Sequence, residues 1–500
     1  MSKYGKLLLK GGSVRMVAFV TTTLIQFFML PFVLGQLGPH EYGLWALVSV
    51  VTGYYGLFDL GVGSAVSRFV SRALGKEDLK SASEYLGAGR SFFRKIALWV
   101  FVITIFVAVV GYVFWDDRAD ATKFSTLVLI MGSSIALSFP FSCYSGALTA
   151  EMRYDVLSLT GLSGTVFRSI GIVIALLSGG GIVWLAIVSA IVKFGECLVV
   201  RTCARRMAST QPAQHPASDE VKKDIFKYSK QSLISRVADM LRFRIHPVTV
   251  STFMQLSDVT LFALHDRVIE VVSRGISTFL SMLSPIFSRL DGAGDLEQLK
   301  KAYLFTYKIS CYGVSFLLLG LFLGCSDLIT VWLGKEYPLV VTLLKIRILG
   351  AFCAMIQSPS VSLFYGTSKN GLYAISNSIH SVLTVVLTVI GICFWELPGL
   401  LWGMVAATVL VKTILQPRMV ANHIGMSLFK YHATATLPNF LKVAPCYLVI
   451  WWLGGWMLET SWFSLISFAG VSTVLFVPYV FWIGFNSNER AKLKKAVLKR

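Results

Sequence analysis

Charged residues are scarce in this 500-residue chain: 14% are Asp, Glu, Lys or Arg, against roughly 25% in soluble domains. Acids are scarcer than bases, 26 against 46. So little charge argues against a solvated surface wrapped around one soluble core. The eight cysteines stand at 143, 197, 203, 311, 325, 353, 393 and 446, and none forms a CxxC pair. That pattern argues against a disulfide framework or a zinc site and leaves them as small core residues. No GxxxxGK[ST] occurs, and "LGKED" and "LGKEY" lack its glycine spacing, so nothing points to a P-loop ATPase. HExxH and paired CxxC motifs are missing as well. No cofactor or metal is implied, and movement is a better expectation than bond breaking.

What the chain has is apolar length. Hydrophobic residues make up 55%, and mean hydropathy is +0.68. Runs of about 20 apolar residues recur from end to end, each able to span a ~30 Å hydrocarbon core. The chain reads as an all-α polytopic membrane protein with fourteen spans. Their expected limits are 14–35, 42–60, 92–115, 122–142, 156–178, 182–203, 229–253, 260–284, 302–324, 339–366, 371–394, 399–420, 437–458 and 462–484. The first run follows Lys3, Lys6, Lys10 and Arg15 but is too long for a signal-peptide core, so it reads as an uncleaved span.

Base distribution orients these spans. With both termini inside, the inner segments, the dense 68–95 loop among them, hold 31 of the 46 bases. The outer loops hold three: Arg118, Lys123 and Lys335. Such asymmetry is the positive-inside pattern. It accounts for most of the +20 net charge, so the basic loops read as topology signals near anionic membrane lipids rather than a nucleic-acid surface. All outer loops are short, the longest near 325–338, which argues against a polymerase or ligase doing glycan chemistry outside the membrane.

Sliding the chain against itself by 217 residues reveals a repeat. Ala46, Leu47, Val51, Ser64, Ser67, Ser71, Arg72, Gly75, Asp78 and Leu79 align with Ala263, Leu264, Val268, Ser281, Ser284, Ser288, Arg289, Gly292, Asp295 and Leu296, ten identities over 34 positions. The copies are six spans apart, so they keep the same orientation. The expected organisation is a six-helix bundle at 1–208, a cytoplasmic linker at 209–228, a second parallel six-helix bundle at 229–425, and two C-terminal helices with a basic tail at 426–500. Two parallel bundles suit a transporter whose substrate sits between the halves.

The stretch "LPFVLGQLGPHEYGLWALVSVVTGYYGLFDLGVGSAVSRFVSRALG", residues 30–75, resembles the start of the polysaccharide transporter family. These are the oligosaccharide flippases, within the multidrug/oligosaccharidyl-lipid/polysaccharide exporter superfamily. Pro31, Leu37-Gly38-Pro39, Glu41-Tyr42-Gly43, Asp59-Leu60-Gly61, Gly63 and Arg68 carry the likeness, which is sharp over about the first 90 residues. It implies a flippase, not an enzyme, that moves oligosaccharide repeat units on undecaprenyl pyrophosphate from the inner to the outer leaflet. It further implies a bacterial inner membrane, a role in surface polysaccharide such as lipopolysaccharide O-antigen, and a polysaccharide polymerase as partner. Many members carry an acid in span seven where this chain reads Arg242-Phe243-Arg244, so the resemblance assigns no coupling-ion site. With no nucleotide motif, the drive is an H+ or Na+ gradient, or removal of product outside.

Span seven poses the sharpest question. "SRVADMLRFRIHPVTV", residues 235–250, holds Arg236, Asp239, Arg242, Arg244 and His246. A charge at a helix centre costs ~2.5–3.5 kcal/mol, and each large aliphatic residue returns only ~0.3–0.6. Such a helix must face a partner or water. Span eight carries Asp266, Arg267, Glu270 and Arg274 on one face, so the two spans hold five arginines against three acids. Arg168 and Lys193 add cations to the first bundle, with Glu196 one turn from Lys193. Arginine matches phosphate oxygens through paired donors. Arg242, Arg236, Arg274, Arg168 and Lys193 are therefore the expected substrate-binding residues. Arg244 is expected to form a structural pair with Asp266 or Glu270. Two rival readings are a cation-coupled multidrug exporter of the same superfamily, disfavoured by the cation surplus, and a membrane-embedded polysaccharide polymerase.

Overall fold

The computed structural model describes residues 3–213, 218–226, 229, 246–281, 283–367 and 369–491. Every regular element among them is helical. Ten of these helices are long and apolar enough to cross a membrane, and two of the ten, 16–75 and 371–423, each carry two expected spans. They therefore account for twelve of the fourteen. Span eight is helical but too charged to count as apolar. Most of span seven lies outside the described residues.

The chain divides into two compact units, residues 1–260 and 261–500. In the first, α1 (Lys3–Gly53) carries spans one and two. Gly38, at φ 76° and ψ 168°, turns the chain between them, a conformation that glycine adopts without a Cβ penalty. Pro39 follows where a restarting helix needs no N–H. A 3-10 stretch, Tyr54–Asp59, leads to α2 (Val62–Gly75). Then come α3 (Leu79–Phe114), α4 (Arg118–Ser138), α5 (Ser142–Ala150), α6 (Tyr154–Leu177) and α7 (Ile182–Met207).

The segment expected as an inner loop at 68–95 is instead the rest of α2 and the first turns of α3. In α2 the charges lie on one face, Arg68 and Arg72 outward, while Val62, Ala65, Val66, Val70 and Ala73 are buried. This is an amphipathic helix that hydropathy alone scores as loop. Its start is built by the Asp59-Leu60-Gly61 motif: Gly61 is left-handed at φ 78°, and the Asp59 carboxylate accepts the Gly63 N–H at 3.0 Å.

The segment expected as a cytoplasmic linker, 209–228, packs on the first unit where it is described. Ser83 Oγ donates to the Gln211 carbonyl at 2.7 Å, and the Ala213 N–H donates to the Ser83 carbonyl at 3.0 Å. Val221 and Ile225 are buried in one cluster with Val66, Ala82 and Leu86. Residues near 250 belong there too, since Leu256 and Val248 pack with Leu44 and Leu127.

The second unit takes in most of α8 (Leu256–Ser281), then α9 (Ser284–Gly292), α10 (Leu296–Leu323), α11 (Cys325–Leu333), α12 (Pro338–Ile356) and α13 (Ser358–Gly366). The expected outer loop at 325–338 is thus mostly the short α11. Next, α14 (Asn370–Val409) carries span eleven and the start of span twelve across a break at Trp395 and Glu396, with Pro398 just beyond. A π-helical turn, Leu410–Leu415, precedes α15 (Gln416–His423). The last elements are α16 (Leu428–Tyr431), α17 (Leu437–Met457) and α18 (Trp462–Tyr479). Tyr312, Val443, Cys446, Ile450, Phe468 and Phe476 form one core between α10, α17 and α18.

The 217-residue repeat extends to local geometry. Asp78 caps α3 through the Ser81 N–H at 2.9 Å. Its counterpart Asp295 caps α10 through the Gln298 N–H at 2.9 Å. The preceding residues, Glu77 and Gly294, are both left-handed, at φ 59° and 70°. Shifted by 217, α5 and α6 each begin within one residue of α13 and α14.

Candidate functional site

The first unit gathers charge at one place where two of its apolar helices meet. Arg168 is on α6, and Lys193 and Glu196 are one turn apart on α7. The Arg168 Nη2 donates to Glu196 Oε1 at 3.2 Å, and the Lys193 Nζ lies 3.5 Å from Oε2. One carboxylate thus sits between two cations, leaving a net positive charge. Glycine makes this crossing possible: a Cβ at Gly164 on α6 would overlap the Glu196 carboxylate. Lys193 and Arg168 are both among the expected substrate-binding residues, and the structure brings them onto a shared partner.

Beside this triad lies a cavity of about 250 Å³ between the start of α5, α6 and α7. Ser138, Ser142, Ser145 and Thr160 supply hydroxyls to its wall, Lys193 and Glu196 supply charge, and Phe141 and Leu157 supply apolar faces. A polar cavity among membrane-crossing helices is costly unless its groups are satisfied or used.

In the second unit, the acids of α8 are all engaged. Glu270 receives Arg267 Nη1 at 2.7 Å and pairs with Arg274. Asp266 lies 3.6 Å from Arg347 Nε on α12. Arg274 is therefore tied to an acid of its own helix. Arg236, Asp239, Arg242 and Arg244 lie outside the described residues, so the expected diphosphate contact and the Arg244 pair both fall there.

Sequence reasoning did not single out two features. Arg347 was the partner Asp266 needed; its signal was an arginine in the apolar run "LLKIRILG". Lys412 is 3% exposed on the π-helical turn, and its Nζ donates to Gln416 Oε1 at 2.5 Å. Gln416 in turn donates to the Gln357 carbonyl, Gln357 accepts from Ser360, and Tyr303 joins Ser360 to Tyr431 at 2.9 and 2.8 Å. This network is fully buried, as a polar cluster inside an apolar bundle must be to stay specific.

The stretch that carries the family likeness does structural work at the turn between spans one and two. His40 Nε2 lies 2.8 Å from Asp120 Oδ2, and Glu41 pairs with Lys123. Both tie that turn to the start of α4. Thr260 Oγ1 donates to the Pro39 carbonyl at 2.5 Å, and a Cβ at Gly43 would overlap the Leu256 carbonyl.

Two helical units in repeat, with ion pairs set among apolar helices of membrane-crossing length, define a polytopic membrane protein. A lipid II flippase MurJ structure in an inward closed conformation matches 93% of this chain and 97% of its own at a TM-score of 0.73 and 14% identity. An inward-facing multidrug resistance MATE family transporter of the MOP superfamily matches 82% and 98%, TM-score 0.66, 15% identity. A MOP superfamily transporter from Pyrococcus furiosus, described by a reversed polarity of its binding pocket, matches 84% and 97%, TM-score 0.61, 15% identity. At these identities the likeness is one of fold. Comparison with curated protein sequences gives no match. The family profile described as "Polysaccharide biosynthesis protein" matches residues 8–291, and the chain belongs to that family.

Proposed function

We propose that this protein is a flippase that carries polyprenyl-pyrophosphate-linked oligosaccharide repeat units across the bacterial cytoplasmic membrane by alternating access, for surface polysaccharide such as O-antigen. The observation that carries the reading is the Arg168–Glu196–Lys193 triad beside a polar cavity within a member of the polysaccharide biosynthesis family. Intramembrane charge is expensive and points to a transported or coupled group. A net positive site fits an anionic glycolipid better than the cationic drugs of a multidrug exporter. Arg242 and Arg236 contact the diphosphate in this reading, both termini are cytoplasmic, and an H+ or Na+ gradient or product removal drives the cycle. The protein moves its substrate without chemistry and hands it to a polymerase outside.

The test is a deletion strain assayed for lipid-linked intermediates. Single repeat units should accumulate on the cytoplasmic side, and surface polysaccharide should be lost. Single units exposed outside would indicate a polymerase. Unchanged polysaccharide together with drug sensitivity would indicate an exporter. Arg242→Ala should abolish complementation at normal membrane abundance, and Arg242→Lys should restore little, because it keeps charge but loses the bidentate fork.

A further inference from the structure

The cavity between α5, α6 and α7 has a composition that selects among ligands. Its volume of about 250 Å³ falls below the ~300–1,000 Å³ of sites for drug-sized molecules. That is room for about one six-membered ring with its substituents. The hydroxyls of Ser142, Ser145 and Thr160 line it and are left over for a ligand, while Ser138 Oγ is spent on the Ile135 carbonyl. Phe141 and Leu157 give it apolar faces on which the C–H side of a ring can lie. Hydroxyls that can both donate and accept, beside an apolar platform, are a means by which proteins hold sugars.

Charge narrows the choice further. Glu196 already takes Arg168, and at 3.5 Å Lys193 holds it loosely. The Lys193 side chain is 42% exposed, so two of its three donors stay available to the cavity. Arg168 keeps a buried Nε donor with no acceptor. One positive charge is in surplus. That matches a single carboxylate, whereas a diphosphate would bring more negative charge than the wall can balance beside the fixed Glu196.

We propose that this cavity receives one acidic sugar of the transported glycan, a ring bearing a carboxylate, with Lys193 reading the carboxylate and Ser142, Ser145 and Thr160 reading the hydroxyls. The proposal rests on the glycan-transport reading above and adds the sugar class to it.

The test uses the full-length protein in nanodiscs, with methyl glucuronide and methyl glucoside as probes in saturation-transfer NMR. The glucuronide should bind about tenfold more tightly than the glucoside, the effect of one charge-assisted contact. Lys193→Met should remove that preference, and Ser145→Leu, which fills the cavity, should remove binding of both. Should Ser145→Leu fail to fold, Leu157→Trp blocks the same space from α6. A wild type that binds neither sugar, that binds both equally, or whose signal survives cavity filling overturns the proposal. Failure of the transport reading looks different: the deletion strain would process its lipid-linked units normally while the purified protein still bound glucuronide. Repeat units trapped inside without glucuronide binding would leave transport standing and sink the acidic-sugar site.

Discussion

Glu196 lies against the backbone of Gly164, so the triad depends on a residue without charge. Gly164→Ala should displace the carboxylate and loosen both ion pairs, measured as lower membrane abundance and lost transport. Gly164→Ala combined with Glu196→Ala should recover abundance but not transport, because the clash is with the end of a side chain. Gly43 is harsher. There an added Cβ meets the Leu256 backbone carbonyl, which cannot rotate aside, so Gly43→Ala should reduce folded protein and no single truncation at Leu256 should rescue it. Arg347→Ala should also lower abundance by stranding Asp266. The 39% exposure of the Asp266 side chain keeps that loss below the ~3–5 kcal/mol of a fully buried broken pair. A melting curve in detergent checks it, and an unchanged midpoint would show that the pair is idle.

At the scale of elements, the two halves repeat their caps as well as their spans. Asp78→Ala and Asp295→Ala each remove the acceptor for a helix-start N–H, so each should lower the detergent melting temperature slightly and by similar amounts. A large difference between them would break the equivalence. The Asp78 carboxyl is held below its ordinary value by the Ser81 backbone N–H and then by the Ser81 hydroxyl. A depressed folded pKa means the cap is fully effective above the ordinary aspartate value near 3.9 and is lost as pH falls through the lower folded one. The Asp78→Ala difference should therefore be constant at neutral pH and vanish only in strong acid. Elements of this kind were legible where apolar length or a motif marked them: the span positions, and the Leu37-Gly38-Pro39 and Asp59-Leu60-Gly61 motifs, at which the helices break. They were illegible where charge lay on one face of a helix. The 68–95 stretch is rich in Lys and Arg and yet helical, because hydropathy averages over the buried face that α2 presents. The Trp395–Glu396 break matched the expected gap between spans eleven and twelve, but the π-helical turn at Leu410–Leu415 has no counterpart in residue type.

On the scale of the whole molecule, topology is the prediction most open to disproof. Single cysteines at Ala119 and Ser326 should react with an impermeant thiol reagent added to intact cells, and cysteines at Glu77 and Asn488 should not. Labelling at Glu77 from outside would reverse the orientation assigned from the basic loops. The candidate site was legible only as a list of costly charges. Arg168 and Lys193 stood out because each sits in an apolar run, but their meeting on Glu196 depends on α6 and α7 touching at Gly164, which no spacing encodes. The grip of the first unit on residues 209–213, 221–225 and 246–260 has a consequence for biosynthesis. Helices α1 to α7 emerge from the ribosome before the segments that complete their core, so the first unit cannot close until about residue 260 has been made. Nascent chains stalled short of 209 should stay sensitive to protease at the inner ends of α2 and α3, and chains stalled well past 260 should become resistant while the second half is still unmade.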